Sequence, residues 1–114
     1  MATIPAKFEK FDDGVVLASW QDITEADTGA PVNMARHPDR TVQVVGDFTT
    51  SGAITMEGSN DGSTFGTLHD LAGNDLVLTD STPKAIAENP LYIRPRATAG
   101  TAVAMDVYVC GAPR

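Results

Sequence analysis

The chain has 114 residues, a size that fits one domain and would hardly fill two independent cores. With 8 Lys+Arg against 15 Asp+Glu the net charge is -7, which repels phosphate backbones and makes nucleic acid and anionic membrane poor partners, while basic protein surfaces fit. A hydrophobic fraction of 42% with 20% charged residues argues against disorder, and the single cysteine, Cys110, excludes an intrachain disulfide and a zinc cluster of the usual Cys/His kind.

The N-terminus, from Met1 to Lys7, lacks the apolar stretch of a secretion signal, and nowhere do about 18 apolar residues run together, so synthesis and folding in the cytoplasm are expected. Residues 1–14 set Phe8 and Phe11 among Lys7, Glu9, Lys10, Asp12 and Asp13, and they read as an arm that needs something to pack on. The domain proper is expected over 15–114. Its first strand is Val15 to Trp20, with Trp20 at the end of an apolar run and therefore assigned to the core. From Gln21 to Arg40 the alternation fails, and two turns, Thr28-Gly29-Ala30-Pro31 and His37-Pro38-Asp39-Arg40, interrupt it. Roughly twenty residues without a clear strand is long for a connection, where about 4–6 is usual, and such a segment is expected to be functional.

Further strands are expected at Thr41 to Phe48, Ala53 to Ser59, Thr64 to Asp70, Asp75 to Thr79, Leu91 to Thr98 and Thr101 to Cys110, each bounded by Gly, Pro, Asn or Asp. In the last of these Thr101, Val103, Met105, Val107 and Val109 alternate with Ala102, Ala104, Asp106, Tyr108 and Cys110, which assigns the first set to the core. Asn60-Asp61-Gly62 marks the tip of a hairpin, Gly62 supplying positive φ. A two-residue loop would set Phe65 across from Gly58, where a ring can cover the bare strand backbone, and that register is preferred to one facing Glu57. Pro83 to Asn89 suits either a helical turn capped by Thr82 or a strand over Lys84 to Glu88. The sum is an all-β, jelly-roll-like antiparallel sandwich of about eight short strands with an N-terminal arm.

Chemistry is hard to place on this pattern. His37 and His69 are the only histidines, with Asp39 and Asp70 nearby, and acid-base or metal work would require them to converge with further groups. The Asn60 and Asp61 region lacks the ligand spacing of a calcium loop, and Cys110 has no basic neighbour except Arg114 to activate it. No catalytic constellation, metal or cofactor is expected, and the chain reads as a binding protein. Arg94 and Arg96 flank Pro95 on one strand face, opposite Ile93. They could grip a partner's carboxylate, or pair with the chain's own surplus acids. Because Pro95 removes a ladder donor, its strand is expected to lie at a sheet edge or to end there. With 6% aromatic residues, sugar stacking on Trp20, Tyr92 or Tyr108 is a poor reading.

Four stretches carry a resemblance: 26–32 (ADTGAPV), 38–44 (PDRTVQV), 57–63 (EGSNDGS) and 88–95 (ENPLYIRP). In their order, across about residues 15 to 110, the chain resembles small proteins of tailed bacteriophages, among them capsid decoration (cement) proteins with a jelly-roll-like sandwich. The resemblance implies a structural virion protein on the outer capsid surface that bridges major capsid protein subunits as a homo-dimer or homo-trimer. Tail, baseplate or fibre modules share the hairpin motif and are the alternative. Candidate interface residues are Phe8 and Phe11 on the arm, Arg36 and Arg40 at the end of the 21–40 segment, and Arg94 and Arg96.

Overall fold

A computed structural model describes residues 3–24, 27–46, 52–99 and 104–113. Within them the strands, in chain order, are β1 (Thr3–Ile4), β2 (Ala6–Lys10), β3 (Val16–Ile23), β4 (Thr28–Gly29), β5 (Val32–Asn33), β6 (Asp39–Gly46), β7 (Ala53–Ser59), β8 (Gly66–Thr67), β9 (Val77–Leu78), β10 (Lys84–Ala85), β11 (Tyr92–Ala99) and β12 (Met105–Ala112). They form two layers. One sheet runs β10-β6-β12-β3-β2, and the other runs β1-β4-β11-β7-β8, with β5 also on β11 and β9 also on β7. The expected all-β, jelly-roll-like sandwich is what the chain forms, with five long strands of seven or eight residues carrying most of the ladder.

Period-2 alternation explains the core. Met105, Val107 and Val109 of β12 face inward between Val42 and Val44 of β6 and Val16, Ala18 and Trp20 of β3; Ile54 and Met56 of β7 and Ile93 of β11 close on them from the other sheet. Trp20 is fully buried and its indole N–H donates to the Ala30 carbonyl at 2.9 Å. The expected strand positions Phe48, Thr101 and Val103 lie outside the described residues.

Several expectations change. β3 continues past Trp20 to Ile23 through a bulge: Met105 faces Ile23 but Val107 faces Trp20, so Gln21 and Asp22 together oppose Asp106. Asp22 takes a positive φ of 59°, and its N–H donates to the Asp106 carboxylate at 3.0 Å. The bulge turns both Trp20 and Ile23 inward although they are three apart, which is why simple alternation stops there. β11 is an interior strand, not an edge. It pairs with β7 along its length, and on its other side with β5 at Tyr92 and Ile93 and with β4 at Arg96. Pro95 sits in the gap between those two short partners, where a missing N–H costs no ladder bond.

The 60–65 loop is longer than the two-residue turn expected. Gly58 pairs with Gly66, so Phe65 stands across from neither Gly58 nor Glu57. Side chains build the loop: Asp61 Oδ1 accepts from the N–H groups of Ser63 and Thr64, each at 2.8 Å, and Ser59 Oγ accepts from that of Gly62 at 3.0 Å. The Thr64 and Ser63 amides, with the Ser59 hydroxyl, hold the Asp61 carboxyl far below the usual range. Gly62 has the expected positive φ, 79°. Lys84 and Ala85 pair with Val42 and Thr41 as an edge strand; no helical turn forms there, because Ile86 and Ala87 find carbonyl partners on Arg40 and His69.

Candidate interaction site

Residues 3–10, read as an arm, pack on the chain's own sandwich. β1 lies parallel to β4 in one sheet and, after Pro5, β2 pairs with β3 in the other. Five residues connect β2 to β3, with φ of 64° at Asp13 and 79° at Gly14, and the Phe11 N–H donates to the Val15 carbonyl at 2.8 Å. Asp13-Gly14 is thus the same turn signal as Asp61-Gly62, and it makes Ala6–Ile23 a hairpin.

Along β2, Ala6, Phe8 and Lys10 lie opposite Trp20, Ala18 and Val16, on the inner face of the sheet. Cover from the opposite sheet runs out in that order. Ala6 packs against the core, Phe8 is 40% exposed, and Phe11 just beyond is 54% exposed. A concavity of about 410 Å³ opens there, lined from β2 and the strand after it by Phe8, Lys10, Phe11 and Val16 and from the 33–37 turn by Arg36 and His37. A second, of about 420 Å³, shares Asn33, Arg36 and His37 and extends the groove to Leu91.

The turn that carries Arg36 and His37 is held from within. Met34 is fully buried and anchors the 33–37 turn; Asn33 Oδ1 accepts from the Ala35 N–H at 3.1 Å, and the His37 N–H donates to the Met34 carbonyl at 2.9 Å. This construction leaves Arg36 exposed at the rim. Three of the six candidate interface residues, Phe8, Phe11 and Arg36, are therefore brought together, although 28 positions separate Phe8 from Arg36 in sequence.

The other three are occupied internally. Arg40 is only 2% exposed, which removes it from any docking surface. It follows the inward phase of Val42 and Val44, and donates from Nη2 to the Glu88 carbonyl. Burial depresses its pKa, partly countered by the Glu88 charge. Arg94 and Arg96 both bind Glu57, their Nε atoms meeting Oε1 at 3.0 Å and Oε2 at 2.8 Å, and the Arg94 guanidinium stacks 3.7 Å from the Phe65 ring centroid. Pairing with the chain's own acid is the alternative that prevails for both.

His69 meets two carboxylates. Its Nδ1 bonds Glu88 Oε2, its backbone N–H donates to Glu88 Oε1 at 2.8 Å, and Nε2 lies 3.4 Å from Asp75. The Glu88 bond raises the His69 pKa above its ordinary value; on Glu88, desolvation pushes up but the His69 bonds outweigh it and the pKa falls. Among the described residues no group of three or more His, Cys, Asp or Glu side chains is arranged to hold a metal ion. Cys110 is a free, exposed thiol.

The fold is similar to that of the SPBc2 prophage-derived protein YomS, at 8% sequence identity and a TM-score of 0.61, over 90% of this chain and 98% of that one. Lower similarities join it to protein NMB1881 from Neisseria meningitidis (10% identity, TM-score 0.43, 94% of this chain and 81% of that one) and to a cupin domain from Bordetella pertussis Tohama I (14%, 0.47, 93% and 88%). No protein-family model matches the chain, and no curated protein does. At these identities the likeness is one of fold.

Proposed function

We propose that this protein is a structural component of a bacteriophage virion, seated on the outer capsid surface and bridging major capsid protein subunits through the Phe8–Phe11–Arg36 groove. The observation that carries the reading is the groove itself. Two phenylalanines are left 40% and 54% exposed at one side of the sandwich, beside two cations on a chain of net charge -7. Exposed aromatics flanked by Arg suit a protein interface better than open solvent. The likeness of fold to a prophage-derived protein, nearly end to end on both chains, adds support. Many copies, each with a modest contact, would reinforce a shell through multivalent attachment.

The test is co-sedimentation of the full chain with emptied phage shells, using Phe11→Ser and Arg36→Glu, two exposed positions whose replacement leaves the core intact. Each variant should reduce shell binding about tenfold or more while the thermal transition stays put. Unaltered stoichiometric binding by both variants would refute the groove's role. A count of only a few copies per intact virion would instead move the protein to the tail.

A further inference from the structure

We propose that two copies of the chain join by antiparallel pairing of their β2 strands, with a twofold axis through Phe8, so that two five-stranded sheets become one sheet of ten. The pairing borders the groove at Phe8 but rests on the strand edge alone, and it would hold if the capsid assignment failed.

Within the described residues β2 ends its sheet, paired with β3 on one side and with no strand on the other. Its burial confirms the exposure: Lys7, Phe8, Glu9 and Lys10 are all open to solvent. The residues of β2 whose N–H and C=O groups point away from β3 are a template for another strand. Natural sheets guard such edges with lysine, and Lys7 and Lys10 do repel a strand that approaches in an arbitrary register.

One register converts that repulsion into attraction. When Ala6-Lys7-Phe8-Glu9-Lys10 is laid antiparallel on itself about Phe8, Lys7 faces Glu9 of the second copy and Glu9 faces its Lys7. Both opposite-charge pairs fall on the outer face, where Lys7 and Glu9 stand clear of the core. Phe8 meets Phe8 of the second copy on the inner face, forming an aromatic cross-strand pair beside the groove. Moving the axis to Lys7 sets lysine against lysine, and moving it to Glu9 sets glutamate against glutamate; both are disfavoured. The short strand thus specifies its own copy and a single alignment, and this charge complementarity selects the occupant of the edge.

Charge reversal tests it. Sedimentation equilibrium should show the native chain as a dimer that weakens as salt rises. Lys7→Glu turns both cross-strand pairs into acid against acid, Glu9→Lys turns both into base against base, and each should raise the dimer dissociation constant about tenfold or more. The double variant K7E/E9K should dimerise like the native chain. An equimolar mixture of the two single variants should form a heterodimer, since each acid then meets a base. Exchange at these exposed positions leaves the core untouched, and recovery in the mixture rules out misfolding as the cause. A native chain that stays monomeric up to about 1 mM would overturn the proposal. So would single variants that dimerise as well as the native chain, or a mixture with no gain over either variant alone.

Discussion

Replacing Glu57 with alanine removes the one acceptor that Arg94 and Arg96 share, and the structure sets the size of the loss. Each Nε contact, at 3.0 and 2.8 Å, is a charge-assisted hydrogen bond, a class that contributes roughly 1.5–3 kcal/mol. The acid's side chain is 8% exposed, but those of the two arginines are 25% and 45% exposed. Both guanidinium groups can therefore turn to water once the acid is gone, and the roughly 3–5 kcal/mol penalty for stranding a buried charge does not apply in full. Discounting each bond to about 1 kcal/mol for solvent screening gives a loss of about 2 kcal/mol. For a domain of this length that lowers Tm by roughly 6–10 °C, readable by circular dichroism on heating and by the urea midpoint. Glu57→Gln should be nearly as damaging, because its amide presents a donor to a guanidinium that also donates. Arg94→Lys should lose about half as much, since it keeps the charge but gives up the planar stacking on Phe65. If Glu57→Ala unfolds within about 0.5 kcal/mol of the native chain, the triad is decoration and the reasoning fails.

Gly29 is a second sensitive position: a Cβ there would lie 2.6 Å from Pro95 Cδ and 2.7 Å from Trp20 Cδ1, on rings that cannot swing aside. Gly29→Ala should cost about 2 kcal/mol and lower the urea midpoint with no change in slope. The His69–Glu88 pair predicts a pH window. The histidine's raised pKa gives a contribution present below its unfolded value of 6.5 and lost as pH rises through the higher folded value. The carboxyl's lowered pKa gives one present above 4.5 and lost as pH falls through the lower folded value. Stability from this pair should therefore be fullest between those pH values. An NMR titration should place the His69 ring above its ordinary pKa, and His69→Ala should flatten that part of the Tm profile. An unshifted ring would count against the pairing.

The architecture was legible wherever one face of a strand is buried and the other is wet. β12 shows this, with Met105, Val107 and Val109 inward and Cys110 exposed. Legibility failed where a strand departs from period 2 or borrows a distant partner. The bulge at Gln21 and Asp22 hides the end of β3, and nothing local marks it, because the group that stabilises it is Asp106, more than eighty residues away. β4 and β5 have two residues each and form on edges that distant strands offer, β11 for both and β1 as well for β4, so no propensity window could register them. The 1–14 segment was different. Asp13-Gly14 between two runs of strand formers is a hairpin signal, and giving it the weight given to Asp61-Gly62 would have placed β2 in the sheet.

Arginine placement shows how far a single sequence can separate interface from scaffold. Arg40 falls in phase with Val42 and Val44, and on a strand with one buried face that phase alone places its stem inside. Arg94 and Arg96 are in phase with each other, but whether their charge is available depends on Glu57 lying across from Arg94, a register fixed by a pairing 37 residues away. Arg36 has no strand phase. It rides a turn pinned by buried Met34, and a turn residue between an anchor and a sheet has nowhere to direct a long charged side chain except outward. The arginine that sequence pattern says least about is therefore the one that stands exposed beside Phe8 and Phe11. The two phenylalanines beside it were detectable for the converse reason: each lies among charges in sequence, where no core can gather round it from its own neighbours.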